Sequence, residues 1–322
     1  MPVGDDRLTT GEFLQAWLRD SVAERVRPAT FKSYAAKVNH HIAPALGRVP
    51  LGKLTPQDVE RMLRDQQRAG LPARSVRHNL AVLRNGLNVA MRWGLVGRNV
   101  AALVDAPTVP ARQVRAISPA DGRCILAAVQ GDRLEAVFTV GLALGLRQSE
   151  ALGLTWSHVD LEAGSLRVER TLQRVGREFR FFETKSVRSR RTIPLPAQVV
   201  DALRQHRVRQ LEERLRAGTA WAGERWGELV FPDELGEPLS GFHVTRRLRA
   251  LLRRAALQAI RYHDLRHGAA SLMAAQGVPP RVAMEVLGHA QISTTMEIYS
   301  HVAPEFQRDA ADRIAAALWA TA

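Results

Sequence analysis

The chain has 322 residues, 46% of them hydrophobic, and carries 46 lysines and arginines against 32 aspartates and glutamates, a net charge of +14. Such a length holds two ordinary domains and such an apolar fraction supplies their cores, which excludes a disordered chain. The excess of positive charge points to a polyanionic partner, nucleic acid first, although a GC-rich genome that inflates arginine produces the same bias. The single cysteine, Cys124, excludes an intramolecular disulfide and a cysteine-built metal site and suits a cytoplasmic location. The opening residues have no apolar signal core, and the run "AVFTVGLALGL" is too short for a bilayer and reads as a buried helix.

The first third reads as helices. Leu8, Phe13, Leu14, Trp17 and Leu18 recur at helical spacing, as do Phe31, Tyr34, Val38 and Ile42 after Pro28. In "LTPQDVERMLRDQQRAG", Thr55 is a cap, Pro56 suits the first turn, Asp58 the positive end and Gly70 the exit. Ser75 opens a further run with Val76, Leu80, Leu83, Leu87 and Met91 on one face. Four or five amphipathic helices make a small bundle, expected over residues 1–106.

Two prolines and few large apolar residues mark 107–117 as a linker, and 118–322 as a second domain. Ser118 and Pro119 start a helix, a second carries Leu134, Val137, Phe138 and Leu142, and Gly145 ends it. "SLRVERTLQRVGREFRFFETKSVRSRRTIPLP" then shows near-alternation, predicting one small sheet of three antiparallel strands over about 165–173, 178–184 and 190–195. "ELVFPDELGEPLS" adds a short extended piece, and a basic amphipathic helix runs from about Gly241 to Leu257. The expected fold class is mainly α, a helical bundle followed by a mostly helical domain with that sheet.

Only three tyrosines occur, Tyr34, Tyr262 and Tyr299, and Tyr299 sits in a short polar stretch ten positions after His289. A nucleophilic tyrosine, with an ordinary pKa of about 10, needs positive charge or a base beside it. If it attacks a phosphodiester, charge spreads over the non-bridging oxygens, which arginine's planar fork matches, and the leaving alkoxide needs an acid. Candidates are at hand. Arg147 follows Gly145, Glu150 can pair with it, and Ser149 can cap the next helix. His263 and Arg266 lie three apart on one helical face, and His289 stands at a helix exit. Lys185 is one of four lysines, the other basic residues being arginines, and the only lysine after residue 53. Lysine can give up a proton where an ordinary arginine cannot usefully do so, which fits a proton donor. Each of these residues also has an ordinary use, as an interhelical ion pair, a hairpin charge or a cap, and spacing alone does not bring them together.

Four stretches, "GLRQSEALGLTWSHVDL", "TKSVRSRRTIPL", "HDLRHGAASL" and "LGHAQISTTMEIYSHV", resemble in order the sequence boxes of the tyrosine recombinases, or phage-type integrases. The resemblance runs from about residue 8 to about 305, and its N-terminal part is similar to that family's core-binding domain. It implies Tyr299 as the nucleophile, forming a 3′-phosphotyrosyl link and releasing a 5′-hydroxyl. Arg147 and Arg266 would clamp the phosphate, His289 would add a hydrogen bond, and Lys185, on the turn between the second and third predicted strands, would protonate the leaving oxygen. His263 would assist the nucleophile's proton transfer and Glu150 would support Arg147. The resemblance implies neither a metal nor another cofactor. The implied partners are double-stranded DNA, further copies of the chain in a tetrameric synapse, and accessory DNA-bending proteins. The implied role is integration or excision of a mobile element, with dimer resolution, a type IB topoisomerase activity and a purely DNA-binding regulator as alternatives. The resemblance starts almost at the first residue, which implies either a recombinase without an arm-binding module or a chain that starts late. The tail carries Phe306, Ala310, Ile314 and Leu318 on one face with Trp319 beside it, a helix that packs in its own subunit or docks on a neighbour.

Overall fold

The computed structural model describes residues 7–110, 117–183, 190–288, 291–300 and 318. The chain divides into two compact units, 1–113 and 114–322.

The first unit is built of helices: α1 (Thr10–Trp17), α2 (Pro28–Lys37), α3 (Ala43–Leu46), α4 (Pro56–Arg68) and α5 (Ala73–Arg92). The start of α4 is fixed by a reciprocal cap, in which Thr55 accepts from the Asp58 amide and Asp58 accepts from that of Thr55. Its exit uses Gly70 at φ +85°, a conformation that a side chain disfavours. The helix expected to open at Ser75 begins earlier, at Ala73, because Pro72 presets the entry. Phe13, Leu14 and Trp17 of α1 pack with Val59 of α4 and with Leu80, Leu83 and Leu87 of α5 in one apolar core. Within the bundle, the buried Gln66 and Asn79 satisfy each other at 2.9 Å, and Gln66 also donates to the His41 carbonyl at 3.0 Å.

The second unit opens with α6 (Pro119–Val129), capped reciprocally by Ser118 and Asp121, followed by α7 (Glu135–Ala143) and the short α8 (Gln148–Leu152). Among the described residues, five strands come next: β1 (Val159–Asp160), β2 (Ser165–Val168), β3 (Arg170–Val175), β4 (Glu178–Glu183) and β5 (Arg191–Pro194). Helices complete the unit: α9 (Ala197–Ala217), α10 (Gly241–Arg254), α11 (Tyr262–Ala275), α12 (Pro280–Leu287) and α13 (Ile292–Ser300). The unpolar α7 lies in the middle of the core, against α9 on one side and α11 on the other. The fold is mainly helical with small antiparallel sheets.

The expected single sheet is divided. The strand predicted over 165–173 breaks at Glu169: β2 pairs with β1 and β5 in a three-stranded sheet, and β3 pairs with β4 alone. The reason is visible in the burial. Leu166 and Val168 alternate inward, but Thr171 and Leu172 are both buried, so the period of two is lost between them. Glu169 sits at the break and binds His158 at 3.0 Å and Arg167 at 2.8 Å. The stretch "ELVFPDELGEPLS" contributes only isolated bridges, Thr155 with Leu229 and Pro232 with Pro238.

Candidate active site

Gly145 turns the chain out of α7 at φ +66°, and Arg147 occupies the residue just before α8. Arg147, and not Ser149, caps that helix: the Arg147 amide donates to Glu150 Oε2 at 2.9 Å and its Nη1 to Oε1 at 2.7 Å. The remaining arm, Nη2, donates to the Gly288 carbonyl at 2.7 Å. Gly288 ends α12 in the left-handed conformation, so Arg147 satisfies a carbonyl that the helix itself leaves unbonded.

Arg266 projects from α11 toward the same place. Its Nη1 donates to the Gly145 carbonyl at 2.6 Å, the side chain is buried, and its Nη2 has no hydrogen-bond partner among the described residues. Burial first, then repulsion from Arg147 and Arg191, pushes the Arg266 guanidinium down to about 9, against a partial rescue by Glu150.

Sequence reasoning missed Arg191. Its Nη2 lies 3.0 Å from Glu150 Oε2, and its Nε donates to the Val286 carbonyl at 2.7 Å. A signal for it existed: Arg191 is two residues from the buried Ile193 on β5, so strand alternation puts it on the inward face. Burial alone would raise the Glu150 carboxyl; attraction and hydrogen bonding to Arg191, then Arg147, outweigh it and hold the pKa below the ordinary value. Three arginines therefore surround one carboxylate, a positive surplus in a mostly buried place.

His263 begins α11 on a more exposed side and stacks edge-on against His267, ring centroids 4.7 Å apart. Desolvation of the ring, then His267, Arg266 and Arg261, push its pKa down to about 4, with Asp264 opposing. It is neutral at pH 7. Tyr262 next to it is excluded as a nucleophile: it is buried, donates to the Val137 carbonyl at 3.3 Å, and burial raises its pKa far above the ordinary value.

Tyr299 lies on α13, which packs on α11 and α12. Its hydroxyl donates to the Val278 carbonyl at 2.9 Å, and burial raises its pKa. Val278 closes the C-terminal turn of α11 through its amide bond to the Met273 carbonyl. Arg266 lies on the second turn of that helix, nine residues and so about 14 Å of axis before its last residue, Ala275. The structure thus brings Arg147, Glu150 and Arg266 together and parks the Tyr299 hydroxyl elsewhere. Lys185 and His289 lie outside the described residues, as do Phe306, Ala310, Ile314 and Trp319 of the tail. Among the described residues no group of histidine, cysteine, aspartate and glutamate is arranged to hold a metal ion, and no helix is long and apolar enough to cross a membrane.

Residues 112–305 match the model of the Phage integrase family, and residues 9–65 that of the Phage integrase N-terminal SAM-like domain. An integrase from Streptomyces ambofaciens is 33% identical over 90% of this chain and 76% of its own length. A tyrosine recombinase XerC-like protein from Caldanaerobacter subterraneus subsp. tengcongensis is 28% identical over 95% of this chain and 83% of its own. In structure, the Tn1549 transposon integrase in complex with a circular intermediate DNA superposes with a TM-score of 0.79 at 20% identity, over 95% of this chain and 99% of that one. The lambda integrase tetramer bound to a Holliday junction gives 0.68 at 19% identity, over 92% and 78%.

Proposed function

Because this chain belongs to the phage integrase family of DNA breaking and rejoining enzymes, we propose that Tyr299 is the nucleophile of a site-specific recombinase that integrates or excises a mobile element. The phenol oxygen attacks a backbone phosphorus and displaces the 5′-oxygen, leaving a 3′-phosphotyrosyl bond. Arg147 and Arg266 balance the charge that develops on the non-bridging oxygens, and His289 donates a hydrogen bond to the same phosphate. Lys185 gives a proton to the departing 5′-oxygen. His263, neutral at pH 7, takes the proton of Tyr299; the bound phosphate raises its basicity. Glu150 orients Arg147. The bond energy of the broken linkage is kept in the phosphotyrosine, so rejoining requires no nucleotide hydrolysis.

The observation that carries this reading is the buried Arg266, whose Nη2 has no hydrogen-bond partner among the described residues, beside Arg147 and Arg191 and one carboxylate to share. A surplus of buried positive charge is costly until an anion enters, and a phosphate diester supplies the matching oxygens. Tyr299 must first leave the Val278 carbonyl, so the DNA-free arrangement is not competent for cleavage.

The proposed partners are double-stranded DNA, gripped by residues 1–106 and the 118–322 domain, and further copies of this chain in a tetramer, with accessory DNA-bending proteins. The Tn1549 and lambda integrases solved on DNA support that choice. The test is a nicked suicide duplex carrying a recombination site selected by binding from the DNA that flanks the coding region. Wild type should become covalently trapped, with peptide mapping placing the DNA on Tyr299, and Tyr299→Phe should trap none. DNA mapped to another residue overturns the assignment.

A further inference from the structure

Four donors converge on Glu150: the Arg147 amide and Nη1 at 2.9 and 2.7 Å, and Arg191 Nη2 and Nη1 at 3.0 and 3.4 Å. Arg191 and Glu150 have side chains only 7% and 2% exposed, whereas Arg147 is 36% exposed. Arg147 is therefore open to a ligand, whereas Arg191 commits its Nε, Nη1 and Nη2 to the Val286 carbonyl and to Glu150. The same two arginines also close the end of α12. Arg191 Nε takes the Val286 carbonyl at 2.7 Å and Arg147 Nη2 that of Gly288 at 2.7 Å. Gly288 lets them close in: a Cβ there would lie 2.7 Å from Arg191 Nη1.

We propose that Arg191 is a positioning residue for cleavage: by sharing Glu150 and pinning the end of α12, it fixes the orientation of Arg147 and keeps Glu150 from neutralising it. The proposal rests on the reading of Arg147 and Arg266 as the phosphate clamp. A carboxylate that faces Arg147 alone cancels its charge; one shared between two guanidiniums leaves a net positive charge for the phosphate. The fork is required, because Nε and Nη2 reach two elements at once and an ammonium is a single point. Arg191 also acts on Arg266. Among the described residues, the charged and titratable groups facing Arg266 are Arg147 just before α8, Glu150 on α8, Arg191 on β5, and Tyr262 and His263 on its own helix. Arg191 is one of the cations that lower Arg266 toward 9.

The experiment measures covalent trapping on the suicide duplex against pH, at subsaturating protein so that the rate reports the free enzyme, for wild type, Arg191→Gln and Arg191→Lys. Arg191→Gln should trap about 100-fold more slowly, a loss like that of a charge-stabilising donor, with DNA affinity within about threefold by gel shift, and its alkaline limb should move to higher pH. Arg191→Lys should keep the wild-type limb but remain at least about tenfold slow, since the charge returns without the fork. Wild-type rate and limb in both variants would overturn the proposal. So would a rate loss in Arg191→Gln that tracks a fall in melting temperature while the limb stays in place, since Arg191 would then act on stability alone. If Arg191→Gln fails to fold, Arg191→Lys decides by itself: a wild-type rate overturns the proposal, and a slowed rate at unchanged melting temperature supports it. A wild-type enzyme that traps no DNA at Tyr299 overturns the recombinase reading instead, before any variant is compared.

Discussion

Glu150 keeps a negative charge where water hardly reaches it, because Arg147 and Arg191 are there to meet it. Replacing it with glutamine leaves two cations without their counter-ion, so Glu150→Gln should cost about 3–5 kcal/mol of stability, as breaking a buried pair does. Urea unfolding at pH 7 checks this. Arg266 makes a second prediction at this scale. Its guanidinium is pushed down to about 9 in the DNA-free protein, so it is charged below that pH and loses its proton above it. The subsaturating trapping rate should therefore hold through pH 8 and fall above about 9. Arg266→Lys should not restore it, since an ammonium cannot hold the Gly145 carbonyl and a phosphate oxygen in one plane.

Among the elements, α9 shows how a histidine is used for packing alone. His206 bonds the Val230 carbonyl through Nε2, and its ring lies between Trp156 and Phe231, centroids 6.3 and 5.1 Å away. Burial pushes its pKa down to about 4 from the ordinary 6.5. Between those values the unfolded chain takes up a proton that the folded one refuses. The stability is present in full above 6.5 and declines as pH falls toward 4. At pH 5 the expected loss from this residue is about 2 kcal/mol. His263, lowered to a similar value, adds to the slope. Urea midpoints at pH 7 and pH 5 should differ, and by less in His206→Gln.

The elements also show what a reader of the sequence could and could not see. The caps at Thr55 and Ser118 were legible, because a hydroxyl three residues before an aspartate, followed by proline, is a local code. The division of the sheet was not, because the break at Glu169 depends on which partner each half of the strand finds. Pro72 hid the start of α5, since a proline can close one segment or open the next.

Across the molecule, Arg147 and Glu150 were legible as a pair because they are three residues apart, and the geometry joins them. For Arg191 only the inward face was legible, from its spacing to Ile193; its partners were not, since they lie 41 and 95 residues away in the sequence. The parking of Tyr299 on Val278 was not legible either, because a backbone carbonyl carries no residue-type signal. The net charge of +14 belongs to the whole chain and predicts its response to salt. Neutralising 6–10 phosphates lowers affinity by about 10³–10⁵ between 50 and 200 mM salt. A gel-shift series at fixed pH measures the slope, and a flat one would argue against DNA as the partner.

Gly145 combines a left-handed backbone with a crowded wall. A methyl group there would sit 2.3 Å from Leu287 Cδ2 and 3.2 Å from the Ala269 Cβ, and the carbonyl of the same residue receives Arg266. The codon for this position consequently has almost no evolutionary freedom. A library randomised at 145 and selected for recombination should return glycine, because any bulk added there wedges α12 away from α11 and shifts the arginine that must hold the phosphate.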